Sequence, residues 1–384
     1  MRRYDLDWLR VLVFGLLILY HVGMFFVPWS FHLKNNELYP DLQIPMRFLN
    51  GWRLPMLFMI SGMGTAFALG KRSGSAFLKE RFVRLMIPLL FGMLVVVPPQ
   101  VYLEKVSTGV VSGSYFEFWP QHAFEGGGYP EGNISWHHLW FLPYLFLYSI
   151  VLLPIFLFMN RHEDNILVRW VRTFSSSRFG LYLLLIPLFM WEVLLEPYFP
   201  TTHALIGDWY CFMNGMTFFF YGFLLIRSGN SFSDNTREYR LQNMMIAISA
   251  FVVRIIIEQL YGGILVADLA RLLLKLIFSW AMILSLFGYA SIYLNTNSRV
   301  LRYANEAVYP FYILHQSVMM VGCYWMMNMN GSFGVKFPLL VLMTFVGTWV
   351  IYECCIRRWR FVRPLFGMKN KAVDNNIMDN KNRS

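Results

Sequence analysis

Residues 10–21 read RVLVFGLLILYH, ten mostly apolar side chains enclosed between an arginine and a histidine. With its neighbours the apolar stretch runs from about residue 8 to 27, reaching the roughly 20 residues that an α-helix needs to cross a bilayer. On such a helix Arg10 and His21 share one face. At about 100° per residue, eleven steps end roughly 20° past three full turns, about 16 Å along the axis. Asp7, three residues before Arg10, lies on nearly the same stripe. A segment built for lipid therefore carries a line of polar groups.

The rest of the chain has the same character. Of its 384 residues 57% are hydrophobic and only 14% charged, with a mean hydropathy of +0.46. Soluble domains carry about a quarter charged residues, so the composition predicts an integral membrane protein. Ten spans are expected near 8–27, 48–69, 83–103, 139–159, 179–197, 209–226, 241–260, 270–293, 304–326 and 336–356. No small-residue cleavage site follows the first, so it is expected to remain in the mature protein. The fold class is all-α and polytopic. A single transmembrane domain is expected over 1–366, followed by a polar, disordered cytoplasmic tail at 367–384.

Basic residues set the expected orientation. With the N-terminus inside, the inner segments hold 25 Lys and Arg, whereas the outer loops hold Lys34, Arg47, Lys105 and Lys336. That asymmetry predicts N-in and C-in. The net charge of +11 is then accounted for by topology and by contact with anionic lipid, and no nucleic-acid partner is implied. Cys211, Cys323, Cys354 and Cys355 show no metal spacing and no disulfide framework, and no metal site is expected.

Depth separates the two basic groups of the opening segment. Arg10, near the inner surface, can snorkel to the lipid headgroups. His21 has no such escape and must face protein or water. It is either a satisfied structural side chain or a functional group able to take a proton from a hydroxyl. On the next inner loop, in ERFVRLMIP (80–88), Arg81 and Arg84 are three apart and project together from an α-helix. They fit a positive-inside anchor or a phosphate clamp, since guanidinium forks bind phosphate oxygens bidentately.

Five stretches in order, RVLVFGLLILYH (10–21), RLPMLFMISG (53–62), ERFVRLMIP (80–88), HLWFLPYL (138–145) and YPFYILHQS (309–317), resemble the acyltransferase 3 family of bacterial membrane proteins over about the whole chain. Within it the chain is most similar to the branch that succinylates periplasmic glucans. The resemblance implies ten core helices in the bacterial cytoplasmic membrane. It also implies acyl transfer from cytoplasmic acyl-CoA, as acetyl-CoA or succinyl-CoA, to a glycan or polysaccharide hydroxyl outside, with no permanently bound cofactor. It casts His21 as the catalytic histidine, Arg10 as its motif partner, and Arg81 and Arg84 as ligands of the CoA phosphates. Direct transfer is expected rather than an acyl-enzyme, because Ser61 in ISGMG lacks a GxSxG elbow and the small residues there suit close helix packing.

Other polar residues are candidates for a pore or substrate site: Asp7 on the stripe of the first span, Arg53 and Ser61 near a developing oxyanion, His315 in FYILHQS, and Glu192 in WEVLLEP, set at the outer end of its span. Arg254 and Glu258, four apart, are expected to form an ion pair. Adjacent His137 and His138 point in different directions and do not suit chelation as a pair. The loop 104–138, with Trp119, Tyr129 and Trp136, is the candidate acceptor lid. A transporter or flippase is the rival class, because prolines at 55, 98–99, 154 and 187 suit broken helices.

Overall fold

The computed structural model describes residues 3–261 and 263–369, so residues 370–384 of the expected tail lie outside the described part. Among the described residues the chain is all-helical, and its one β contact is an isolated bridge between Gly128 and Ile134. Among the described residues six helices are long and apolar enough to cross a membrane: α1 (Tyr4–Met24), Gly74–Ser107, Trp209–Arg227, Arg240–Leu260, Leu265–Tyr293 and Phe333–Ile356. The pair His137–Val151 and Leu153–Arg161, bent by 49°, makes a seventh if counted as one span. The remaining three expected segments are also helical. Gly180–Leu194 is short, while Gln43–Leu69 and Arg299–Met326 have 27 and 28 residues but carry more polar side chains. The chain is a multi-pass membrane protein.

Tertiary contacts divide the chain into two compact units. One takes residues through Val13, Arg47–Leu78 and Leu147–Arg302; the other takes Phe14–Met46, Lys79–Phe146 and Tyr303 onward. Within the first unit, small residues bring helices together. A Cβ on Gly62 would overlap the Phe219 carbonyl, and one on Gly222 the Met59 carbonyl. Helices Gln43–Leu69 and Trp209–Arg227 thus touch backbone to backbone, the arrangement that lets van der Waals packing drive association where lipid removes the hydrophobic driving force. Ser61, half-buried beside this contact, gives its carbonyl to the Thr65 hydroxyl at 2.9 Å.

In the second unit, Val22, Phe25, Phe26 and Leu33 pack with Met319, Met320, Cys323, Met326 and Leu340 into one buried cluster. The cluster begins one residue after His21 and four after His315, so it fixes the C-terminal half of α1 against Arg299–Met326. Three widened π-helical turns, Phe82–Met86, Gly92–Val96 and Tyr352–Ile356, also belong to this unit. Such turns recur at functional sites because they locally re-aim side chains.

Candidate active site

His21 leaves α1 half-buried, and its Nδ1 lies 2.8 Å from Nε2 of His315. The two ring planes are parallel within 1°. That nitrogen separation is too short for stacked faces, so the rings meet edge to edge through a hydrogen bond in their common plane.

The partners of His315 fix who donates. Its Nδ1 faces the Phe311 and Tyr312 carbonyls at 3.1 and 2.8 Å. Carbonyls only accept, so that nitrogen carries the proton. In the neutral ring Nε2 then holds the lone pair and accepts from His21 Nδ1–H. By the same rule the neutral His21 ring has its basic lone pair on Nε2.

A polar layer supports this pair. His138 packs edge-on against His315, with centroids 5.1 Å apart at 86°. Its Nε2 donates to the Ile313 carbonyl at 3.0 Å, and Gln100 donates to its Nδ1 at 3.5 Å. Gln100 also donates to the Ser317 hydroxyl at 2.7 Å and accepts from Gln316 at 3.0 Å. The Tyr312 hydroxyl closes the layer onto the His138 carbonyl at 2.7 Å. Buried amide and imidazole groups paired this completely hold fixed orientations.

Sequence reasoning singled out His21 and His315 but missed Gln100, His138 and Tyr312 as parts of one cluster. A glutamine just after the Pro98–Pro99 pair, in an otherwise apolar span, was the signal for Gln100. Nothing local signalled its partners.

Asp7 and Arg10 make a 3.4 Å contact near the start of α1. They line a cavity of about 510 Å³ with Arg3, Gly64, Phe67 and Lys71, so three cations and one carboxylate surround it. A neighbouring cavity of about 400 Å³ shares Phe67 and Lys71 and adds Arg172, Arg227 and Glu163.

Arg81 closes helix Gly74–Arg81 and Arg84 lies in the first π turn. Arg84 approaches Glu80 at 3.5 Å and is about half exposed. The turn is braced from behind, because the Tyr309 hydroxyl donates to the Arg84 carbonyl at 2.8 Å. Gly367, with a φ of +66°, leaves room for the Tyr309 ring that a Cβ would fill.

Arg53 is buried within helix Gln43–Leu69. Glu192 is fully buried, held by the Tyr210 hydroxyl and the Lys275 ammonium, so it faces protein and not the membrane surface. The pairing expected between Arg254 and Glu258 is corrected: Glu258 pairs with Arg47 at 2.7 Å, because a carboxylate on a helix side can reach a facing helix as readily as its own next turn. All four cysteines are free thiols.

Residues 3–353 match a family model described as an acyltransferase domain. Neither the curated proteins nor the solved structures give a match to the chain.

Proposed function

The chain belongs to the acyltransferase 3 family and is a membrane acyltransferase; from that premise we propose that it moves an acetyl or succinyl group from cytoplasmic acyl-CoA to a hydroxyl of an extracytoplasmic glycan. In this proposal ten helices cross the bacterial cytoplasmic membrane, with both termini inside as the basic residues favour. His21 is the general base. The observation that carries its role is the 2.8 Å contact between His21 Nδ1 and His315 Nε2.

The step balances as follows. The glycan hydroxyl gives its proton to His21 Nε2 as its oxygen attacks the thioester carbonyl. The tetrahedral oxyanion collapses, the carbon–sulfur bond breaks, and His21 returns the proton to the departing thiolate. Ester and free CoA result. His315 keeps the His21 tautomer correct throughout, since its own Nδ1 proton is committed to two carbonyls. Proton transfer of this kind contributes about 10²–10⁴-fold.

Donor binding draws on Arg81 and Arg84 for the CoA phosphates. The cavity bordered by Arg3, Arg10 and Lys71 supports an anionic ligand near the start of α1, and Asp7 there holds Arg10 in place. Glu192, locked to Lys275 and Tyr210, acts structurally. The deciding experiment supplies labelled acyl-CoA and periplasmic glucan to the full chain in lipid vesicles, with mass spectrometry of the glucan. CoA release with a matching mass gain is expected. Solute movement without loss of thioester would overturn the proposal in favour of a transporter.

A further inference from the structure

Three segments distant in sequence bring two imidazoles and a carboxylate together beyond the C-terminal end of α1. His32 Nδ1 lies 2.8 Å from Glu104 Oε2. The His32 and His137 rings are stacked with centroids 4.3 Å apart. One ligand atom from each of His32, Glu104 and His137 falls within 4.8 Å of the others, and all three residues are partly buried.

Two features distinguish this group from an ordinary hydrogen-bonded cluster. First, the His137 ring is anchored at Nδ1 by the Ser135 hydroxyl at 2.6 Å, yet its Nε2 is sequestered with no hydrogen-bond partner. A buried imidazole nitrogen left so is costly unless something binds it. His137 is also held at a φ of +41°, a left-handed conformation that a non-glycine residue keeps only when its surroundings impose it. Second, the carboxylate is oriented from behind, because the Tyr129 hydroxyl donates to Glu104 Oε1 at 2.7 Å. Metal-binding carboxylates carry outer partners of this kind.

We propose that His32, Glu104 and His137 bind a divalent transition-metal ion of the zinc class. Two imidazoles and one carboxylate suit zinc, with a fourth position left to water. At metal–ligand bonds of about 2.0–2.1 Å, tetrahedral donors stand roughly 3.3 Å apart. The site therefore needs a contraction and a tilt of one imidazole about its Cβ–Cγ bond, since stacked rings cannot both point at one ion. The sequence alone gave no metal site, because His137 draws its partners from positions 32 and 104 and not from its neighbour His138. The ion would tie the loop after α1, the end of helix Gly74–Ser107 and the segment entering His137–Val151 into one outer clasp. It is independent of any role for His21.

The test uses the full chain in detergent, purified without an oligohistidine tag, stripped with EDTA and then given zinc chloride alone. After gel filtration, metal analysis is expected to show about one zinc per chain, lost in a triple His32→Ala, Glu104→Gln, His137→Ala variant that elutes as the parent does. Tyr129→Phe is expected to weaken zinc about 10–100-fold while retaining one site. X-ray absorption on the zinc-loaded parent is expected to show nitrogen and oxygen ligands only. Equal zinc in parent and triple variant, no retained zinc in the parent, or sulfur in the metal shell would each overturn the proposal. If the triple variant does not fold, the absorption spectrum and Tyr129→Phe decide. Because metal content needs no acyl transfer, its failure is separate from failure of the proposed reaction.

Discussion

His21 and His315, 294 positions apart in sequence, share a hydrogen bond of 2.8 Å in the common plane of their rings. The carbonyls of Phe311 and Tyr312 dictate its direction, so one helix backbone decides which nitrogen of a side chain on another holds the lone pair.

If this relay orients the base, His21→Ala lowers acyl transfer about 10²–10⁴-fold with the fold retained. His315→Gln lowers the maximal rate with little change in the KM for acyl-CoA. The double variant is no worse than His21→Ala, since groups acting as one unit are not additive. Additive losses in steady-state rates would break the link between the rings.

The arginines of the first π turn separate binding from folding. Arg84 is half exposed and its turn is braced through backbone atoms. Replacing Arg84 by alanine therefore leaves the melting temperature nearly unchanged, and the pair Arg81→Ala with Arg84→Ala is expected to remain folded. Each lost charged hydrogen bond is worth about 1.5–3 kcal/mol, so the KM for acyl-CoA rises at least tenfold. An unchanged KM removes the clamp from the mechanism.

Helix contact through Gly62 and Gly222 leaves no room for a side chain. Gly62→Leu forces backbone, not a flexible side-chain end, to move, and is expected to destabilise by about 1–3 kcal/mol or more. Ser61→Ala, at the adjacent half-buried position, changes little. Thermal unfolding in detergent measures both, and a large drop in transfer by Ser61→Ala without unfolding would revive a covalent intermediate.

Lys275→Ala removes the ammonium that contacts the buried Glu192 carboxylate and leaves the Tyr210 hydroxyl as its hydrogen-bond donor. Breaking a buried pair costs about 3–5 kcal/mol, and the smaller figure applies because Lys275 keeps a third of its side chain exposed. Adding Glu192→Gln restores most of the loss. A Lys275→Ala variant as stable as the parent in denaturation would show the pair contributes nothing.

His203, in the loop before helix Trp209–Arg227, has its pKa lowered to about 4 by burial, against the opposing pull of Asp208. Between that value and the usual 6.5 the unfolded chain binds more protons. The contribution is therefore full above pH 6.5 and is lost as pH falls towards 4. His203→Asn, which tolerates the residue's φ of +60°, is expected to flatten the stability profile over that window. An identical profile in both proteins excludes this residue as the acid-sensitive group.

The apolar spans were legible because bilayer thickness imposes a length and a composition that any window reveals. Gln43–Leu69 and Arg299–Met326 are where that measure weakens. Arg53 sits in one and Glu306, His315 and Gln316 in the other, so polar side chains, His315 and Gln316 of the polar layer among them, dilute the hydropathy. His21 was visible because a histidine deep in lipid demands an explanation. Its partner's identity was not, because pairing across hundreds of residues leaves no periodic trace. The same limit explains Glu258, whose nearest arginine along the helix is Arg254 but whose partner is Arg47.

The π turn at Gly92–Val96 holds slack just before Gln100. Removing one residue from that turn would let it relax to ordinary α-helical winding, with Gln100 still aimed at Ser317. The same excision further along the helix would swing every later side chain by about 100°. Along this helix the polar layer around His138 can therefore absorb the loss of one residue at that turn and not beyond it.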